Sequence, residues 1–118
     1  MEPGPLQEKS YHFALGTVLF CKWMIEERKE FVLSKQLMKS GTSVGANIEE
    51  AQQAQSKNDF ISKLSIALKE AYESRFWFRL IRDAKYAEID RINPLMIELD
   101  SIISMLVRSI QTAKNNNK

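Results

Sequence analysis

One cysteine, one histidine and three prolines among 118 residues leave little room for several kinds of protein. Cys21 has no partner for an intrachain disulfide, and its setting in VLFCKWM reads as a small buried hydrophobe in a reducing compartment rather than a reactive thiol. His12 has no glutamate three residues before it, so the paired Glu-x-x-His signature of a di-iron bundle is missing. No serine or cysteine partner marks it as a general base either, which leaves a solvated or cap-region role. The prolines fall at 3, 5 and 94 and the glycines at 4, 16, 41 and 45, so the long middle lacks the punctuation that several hairpins would need. No apolar run approaches ~20 residues, and a membrane span is not expected. MEPGPLQEKS has acids and two prolines but no apolar core, unlike a signal peptide. The expectation is a cytoplasmic protein with no cofactor and no metal.

What is present is ordinary globular material, 44% apolar and 27% charged. The net charge of +2 is small but uneven: Lys57 to Lys85 holds seven bases and four acids. Periodicity predicts four helices. The first covers Ser10 to about Glu27, with Phe13, Ala14, Val18, Cys21 and Ile25 at three- and four-residue spacing. The second starts after the charged turn EERKE and runs through Phe31, Leu37, Met38, Val44 and Ile48 to about Ala54. Ser56 and Asp59 form a capping box before a third helix, Phe60 to about Asp83. Asn93-Pro94 opens the fourth, with Ile92 and Ile97 as a hydrophobic staple around the cap. Residues 1–9 read as a flexible tail, 10–113 as the bundle and 114–118 as a frayed end. Short connections imply an all-α, up-down-up-down four-helix bundle. Apolar residues spread widely around helices one and three: Trp23 and Met24 on one, and Phe60, Ile66, Trp77, Leu80 and Ile81 on the other. That width on a thin bundle points to a second buried surface, and so to self-association.

The stretch KSGTSVGANIEE, Lys39 to Glu50, is the most distinctive. It is not a phosphate loop: only three residues separate its glycines, Ala46 stands where the lysine would follow, and helix rather than strand precedes it. Gly41 and Gly45 instead share one helical face, which lets another backbone approach closely; Gly41 could alternatively mark a kink. Glu49 and Glu50 diverge by about 100° and cannot flank one bond. Glu50 could meet Glu70 or Glu73, but Asn47 and Glu50 read better as hydrogen-bonding groups that fix register across the bundle or to the linker.

The stretch from Gln36 to Leu80, with Phe13-Ala14 before it, closely resembles the four-helix bundle family associated with intervening sequences in bacterial 23S ribosomal RNA. The matching residues are Ser40, Ser43, Asn47, Ile48, Glu50, Ser56, Asp59, Phe60, Ile66, Ala67, Leu68 and Glu73. The resemblance covers about residues 10 to 113; Ala51 departs from it, where many members have glycine. It implies a ring-like homo-oligomer, a homopentamer in known members. A related branch, the accessory proteins of diversity-generating retroelements, implies a basic barrel that binds nucleic acid and a reverse transcriptase. This chain is much less basic than that branch.

Two functions of different kinds follow. One is a non-enzymatic homo-oligomeric scaffold or adaptor that binds a protein partner. The other is an accessory protein that binds RNA, DNA or a ribonucleoprotein through Lys57, Arg75, Arg79, Arg82 and Lys85. Three of those arginines form one helical stripe, which could grip phosphates, solvate the helix or pair between subunits. No metal set, nucleophile–base pair or cofactor loop supports an enzyme.

Overall fold

The computed structural model describes residues 4–116, so residues 1–3 and 117–118 of the two expected tails lie outside the described residues. Four helices account for nearly all of it: α1, Pro5–Arg28; α2, Val32–Ala51; α3, Lys57–Asp83; α4, Ile89–Asn115. The backbones of neighbouring helices approach closely and those of diagonal pairs do not, so the order around the bundle is α1–α2–α3–α4. The result is a rod of 51 × 24 × 22 Å. No helix among the described residues is long and apolar enough to cross a membrane.

Several helix boundaries differ from the expectation. α2 ends at Ala51 rather than about Ala54, and α4 continues to Asn115, so residues 114–115 are helix and not frayed end. Three helix starts differ for local reasons. α1 begins at Pro5 rather than Ser10, so residues 5–9 are helix and not tail. Proline loses nothing at a first helical position, and the Gly4 amide donates to Gln7 Oε1 at 3.1 Å. α3 begins directly after Ser56, whose hydroxyl accepts from the Asp59 amide at 3.0 Å. The reciprocal half of the expected capping box is displaced by one residue, because the Asp59 carboxylate accepts from the Gln55 amide at 3.3 Å. α4 starts at Ile89, five residues before Pro94, so the proline lies inside the helix. Ile97 is 69% exposed while Ile92 is buried, so the expected staple does not form.

The turns at one end of the bundle use a device that composition does not advertise. Lys29 and Lys85 sit at φ 53° and 63°, the left-handed position that glycine usually supplies after a helix. Between α1 and α2 the start of the second helix is held by Glu30. Its carboxylate accepts from the amides of Val32, Leu33 and Ser34 at 3.1, 3.0 and 2.9 Å, and from the Ser34 hydroxyl at 3.1 Å. Burial pushes that carboxyl's pKa up, but the four hydrogen bonds outweigh it and hold the group below its ordinary range.

The core is aromatic at its centre. Phe78 of α3 lies 6.2 Å from Phe13 and 5.8 Å from Phe20 between ring centroids, and Leu37, Val44, Ile48, Leu99, Ile102 and Leu106 close round them. Cys21 belongs to this core as expected. Burial, with the nearby Glu30 charge second, pushes its thiol up to about 12. The native protein should therefore resist a thiol reagent that labels it fully once denatured; rapid labelling without denaturant would place Cys21 at the surface.

Candidate functional site

The glycine segment lies wholly within α2, packed against α1. A methyl group built on Gly41 would stand 2.8 Å from Thr17 Cγ2, whereas one on Gly45 would meet the Ser10 carbonyl oxygen at 3.4 Å, an ordinary contact distance. Close packing is therefore real, but its tightest point is Gly41 rather than Gly45. Thr17 is fully buried there and its hydroxyl has no hydrogen-bond partner among the described residues.

On the α3 side of the same segment, the buried hydroxyls of Ser40 and Ser74 meet at 2.8 Å. Each is also within reach of a carbonyl of its own helix, Leu37 and Glu70 respectively. This polar pair fixes the register of α2 on α3, the role expected of Asn47. Asn47 does not play it, because its amide donates within α2 to the carbonyl of Ser43 at 2.8 Å. Glu50 does cross between helices, but to Lys63 at 2.9 Å on the surface rather than to an acid of α3. Glu73 accepts instead from the Trp77 indole at 3.1 Å.

Catalytic groups do not converge on these residues. Among the described residues no three of His, Cys, Asp and Glu gather as a metal site would require. His12 pairs with Glu98 at 2.7 Å across α1 and α4, on an exposed surface, while the single thiol is in the core.

The five basic residues expected to bind nucleic acid do not form one patch. Lys57 is the first residue of α3 and Lys85 follows its end, about 40 Å apart along the helix at 1.5 Å per residue. Arg75 pairs with Asp100 of α4 at 3.6 Å, and Arg82 with Asp83 at 2.8 Å. Arg79 and Lys85 are exposed and have no carboxylate within 4 Å among the described residues.

The more coherent surface is apolar. Tyr11, Leu15 and Leu19 recur every four residues on α1, and Tyr72, Phe76 and Leu80 do the same on α3. Tyr11 is 69% exposed and Phe76 50%, although large apolar groups on a surface are usually scattered. Each stripe lies opposite its helix's buried face, and α1 and α3 occupy diagonal corners of the bundle. The two stripes thus face away from one another. Beside the α1 stripe a groove runs between α1 and α2, lined by Tyr11, Ala14, Thr42, Gly45, Ala46 and Glu49. Glu8 stands at its extension past Tyr11 and Leu15.

The sequence signalled excess apolar width but assigned it in part to the wrong residues. Met24 and Ile81 are core, and Trp23, Phe60 and Trp77 are half-buried; of the residues named for that width, only Ile66 and Leu80 are exposed. The four-residue recurrence at 11, 15 and 19, and at 72, 76 and 80, is the signal that identifies the outer stripes.

The family model described as 23S rRNA-intervening sequence protein matches residues 6–108. Among solved structures, a protein of unknown function from the S23 ribosomal protein family of Bacteroides thetaiotaomicron is 44% identical. The match covers 89% of this chain and 97% of that one, with a TM-score of 0.87. No curated protein matches the chain.

Proposed function

The chain belongs to the 23S rRNA-intervening sequence protein family, and from that premise we propose that it is a non-enzymatic scaffold that assembles with copies of itself and presents the assembly to a protein partner. The observation that carries this reading is the pair of apolar stripes on diagonal corners. A surface used once would need one stripe; two unlike stripes facing apart suit a head-to-tail contact in which α1 of one copy meets α3 of the next. Charges of both signs border each stripe: Glu8, Glu49 and Lys22 on the α1 side, Lys69, Arg79, Glu73 and Asp83 on the α3 side, so opposite charges can meet across the pairing. Closure of such a contact into a ring, five-membered as the resemblance implies, leaves no stripe uncovered.

Sedimentation tests the assembly. The native protein should run as a multiple of the 13.6 kDa chain. Leu15→Glu and Phe76→Glu should each yield smaller species that remain helical. Mixing these two variants separates the possible contacts, because each retains the stripe the other lacks. A head-to-tail interface predicts heterodimers in the mixture, whereas an α1–α1 or α3–α3 contact would survive in one of the single variants. A monomeric native protein overturns the proposal.

The nucleic-acid reading, with or without a reverse transcriptase as in the retroelement branch, finds less support in α3. Two of its three stripe arginines are paired with carboxylates, and its terminal lysines are a helix length apart.

A further inference from the structure

The basic groups that do converge lie elsewhere. At the end of the bundle where α1 stops and α4 starts, the guanidinium carbons of Arg91 and Arg28 stand 4.0 and 5.2 Å from the centroid of one indole, that of Trp23. Two like charges are therefore no farther apart than the sum of those distances. Their acidic neighbours along the chain are the exposed Glu26, Glu27, Glu88 and Asp90, and the buried Glu30, whose carboxylate is taken up by the start of α2. Neither arginine has a carboxylate within 4 Å among the described residues. Arg28 donates through Nε to the Tyr86 carbonyl at 3.0 Å, and the Arg91 guanidinium has no hydrogen-bond acceptor among the described residues.

A cation–π staple between α1 and α4 would need one arginine. A second brings mutual repulsion, which a bound anion would relieve. Stacking on an indole also uses the face of a guanidinium and leaves its N–H edge free, the edge that takes phosphate oxygens two at a time. We infer that Arg28 and Arg91, ordered by Trp23, form a binding site for the phosphates of a nucleic-acid strand, distinct from the α3 arginines. The fork itself fits phosphate and carboxylate alike; the regular, close spacing of phosphates along a strand suits two adjacent forks better than the scattered carboxylates of an acidic protein. The site does not depend on self-assembly, so the monomeric Leu15→Glu variant should retain it.

The test is fluorescence anisotropy with a short labelled single-stranded RNA, titrated at about 50 and about 200 mM salt. Native protein should bind with salt-sensitive affinity. Arg28→Gln/Arg91→Gln should weaken binding at least about tenfold and flatten the logarithmic salt slope by about 1.4, two single-strand phosphate contacts. Arg28→Lys/Arg91→Lys keeps the charge but loses the fork, and should fall between. Arg75→Gln/Arg79→Gln should stay within about twofold of native. A second readout needs no change in the site: in Trp77→Phe protein the only indole is Trp23, and its emission should respond to RNA even if the glutamine pair fails to fold. Absence of salt-sensitive binding, equal loss in the α3 control pair, a silent Trp23, or equally strong binding of polyglutamate would each overturn the assignment, the last in favour of an acidic protein partner.

Discussion

Replacing Glu30 with alanine is expected to lower the unfolding free energy by about 2–3 kcal/mol, more than an ordinary helix cap contributes. The size follows from the number of donors involved. Three amides at the start of α2 and the Ser34 hydroxyl all point at one carboxylate, and Ser34 itself is fully buried. Alanine leaves those donors without their acceptor, and at Ser34 in a place that water does not reach. Glu30→Gln keeps the shape but offers one carbonyl oxygen in place of two, so it should lose about half as much. The pH dependence has a definite sign. The carboxyl is held below its ordinary value in the folded chain, so its contribution is complete above the unfolded value of about 4.3 and disappears as pH falls through the lower folded value. Native protein should lose stability across that acid range, while Glu30→Gln should show a shallower slope there. Parallel denaturant titrations from neutral to acid pH measure both effects; identical slopes for the two proteins would remove Glu30 from this role.

Gly41→Leu should be at least as damaging, by about 3 kcal/mol, since overpacking a helix contact costs ~1–3 kcal/mol and occasionally more. Here even one methyl would meet Thr17 Cγ2 at 2.8 Å, and that atom belongs to a short β-branched side chain with few other rotamers. Gly41→Ala is the informative companion. At an open helical site it would stabilise by up to ~1 kcal/mol; beside Thr17 it should instead be neutral or destabilising. Adding Thr17→Ala should restore stability, because it removes the obstructing methyl together with a buried hydroxyl that has no partner. Gly45→Ala, at ordinary contact distance from Ser10, should retain most of its helix-propensity gain. Thermal melts of the native protein, Gly41→Ala, Thr17→Ala and the double variant decide it: independent, additive effects of the two changes would show that the residues do not collide.

The number and type of elements were legible because the apolar spacing is helical throughout and glycine and proline are rare between residues 17 and 93. Boundaries were less so. Asn93-Pro94 is a strong opening signal, yet α4 runs through it: the proline's ring fits helical φ, and its missing amide costs a single bond in the second turn. The phase of α1 was only partly readable. Phe13 and Cys21 are core, but Ser10 and Thr17 are buried while Leu15 and Leu19 are exposed, an inversion that sequence hydrophobicity cannot report. That inversion has a single origin. α1 packs its small residues against α2 and leaves larger ones outside, so its inner and outer faces are both apolar. Glu30 was hidden for a different reason, since in EERKE it resembles its solvated neighbours until the turn folds it inward. For the candidate surface, charge counting led to α3, where acids on the same and adjacent helices neutralise two of the arginines. The pairing of Arg28 with Arg91 joins residues from opposite halves of the chain and has no local signature.

Close backbone approach only between neighbouring helices also sets how the chain reaches its native state. Contacts within the pairs α1–α2, α2–α3 and α3–α4 can form as three local hairpins, each with a connection of a few residues. The α1–α4 seam must wait for the chain to double back across two intervening helices, and the contacts of Phe13 and Phe20 with Phe78 for it to cross one; the entropy of closing such loops grows slowly with their length. A topology so dominated by near-neighbour contacts belongs with the fast-folding helical proteins, in the microsecond to millisecond range. Substitutions at the His12–Glu98 and Gly16–Leu95 contacts, which lie on that last seam, should then speed unfolding while leaving the refolding rate nearly unchanged.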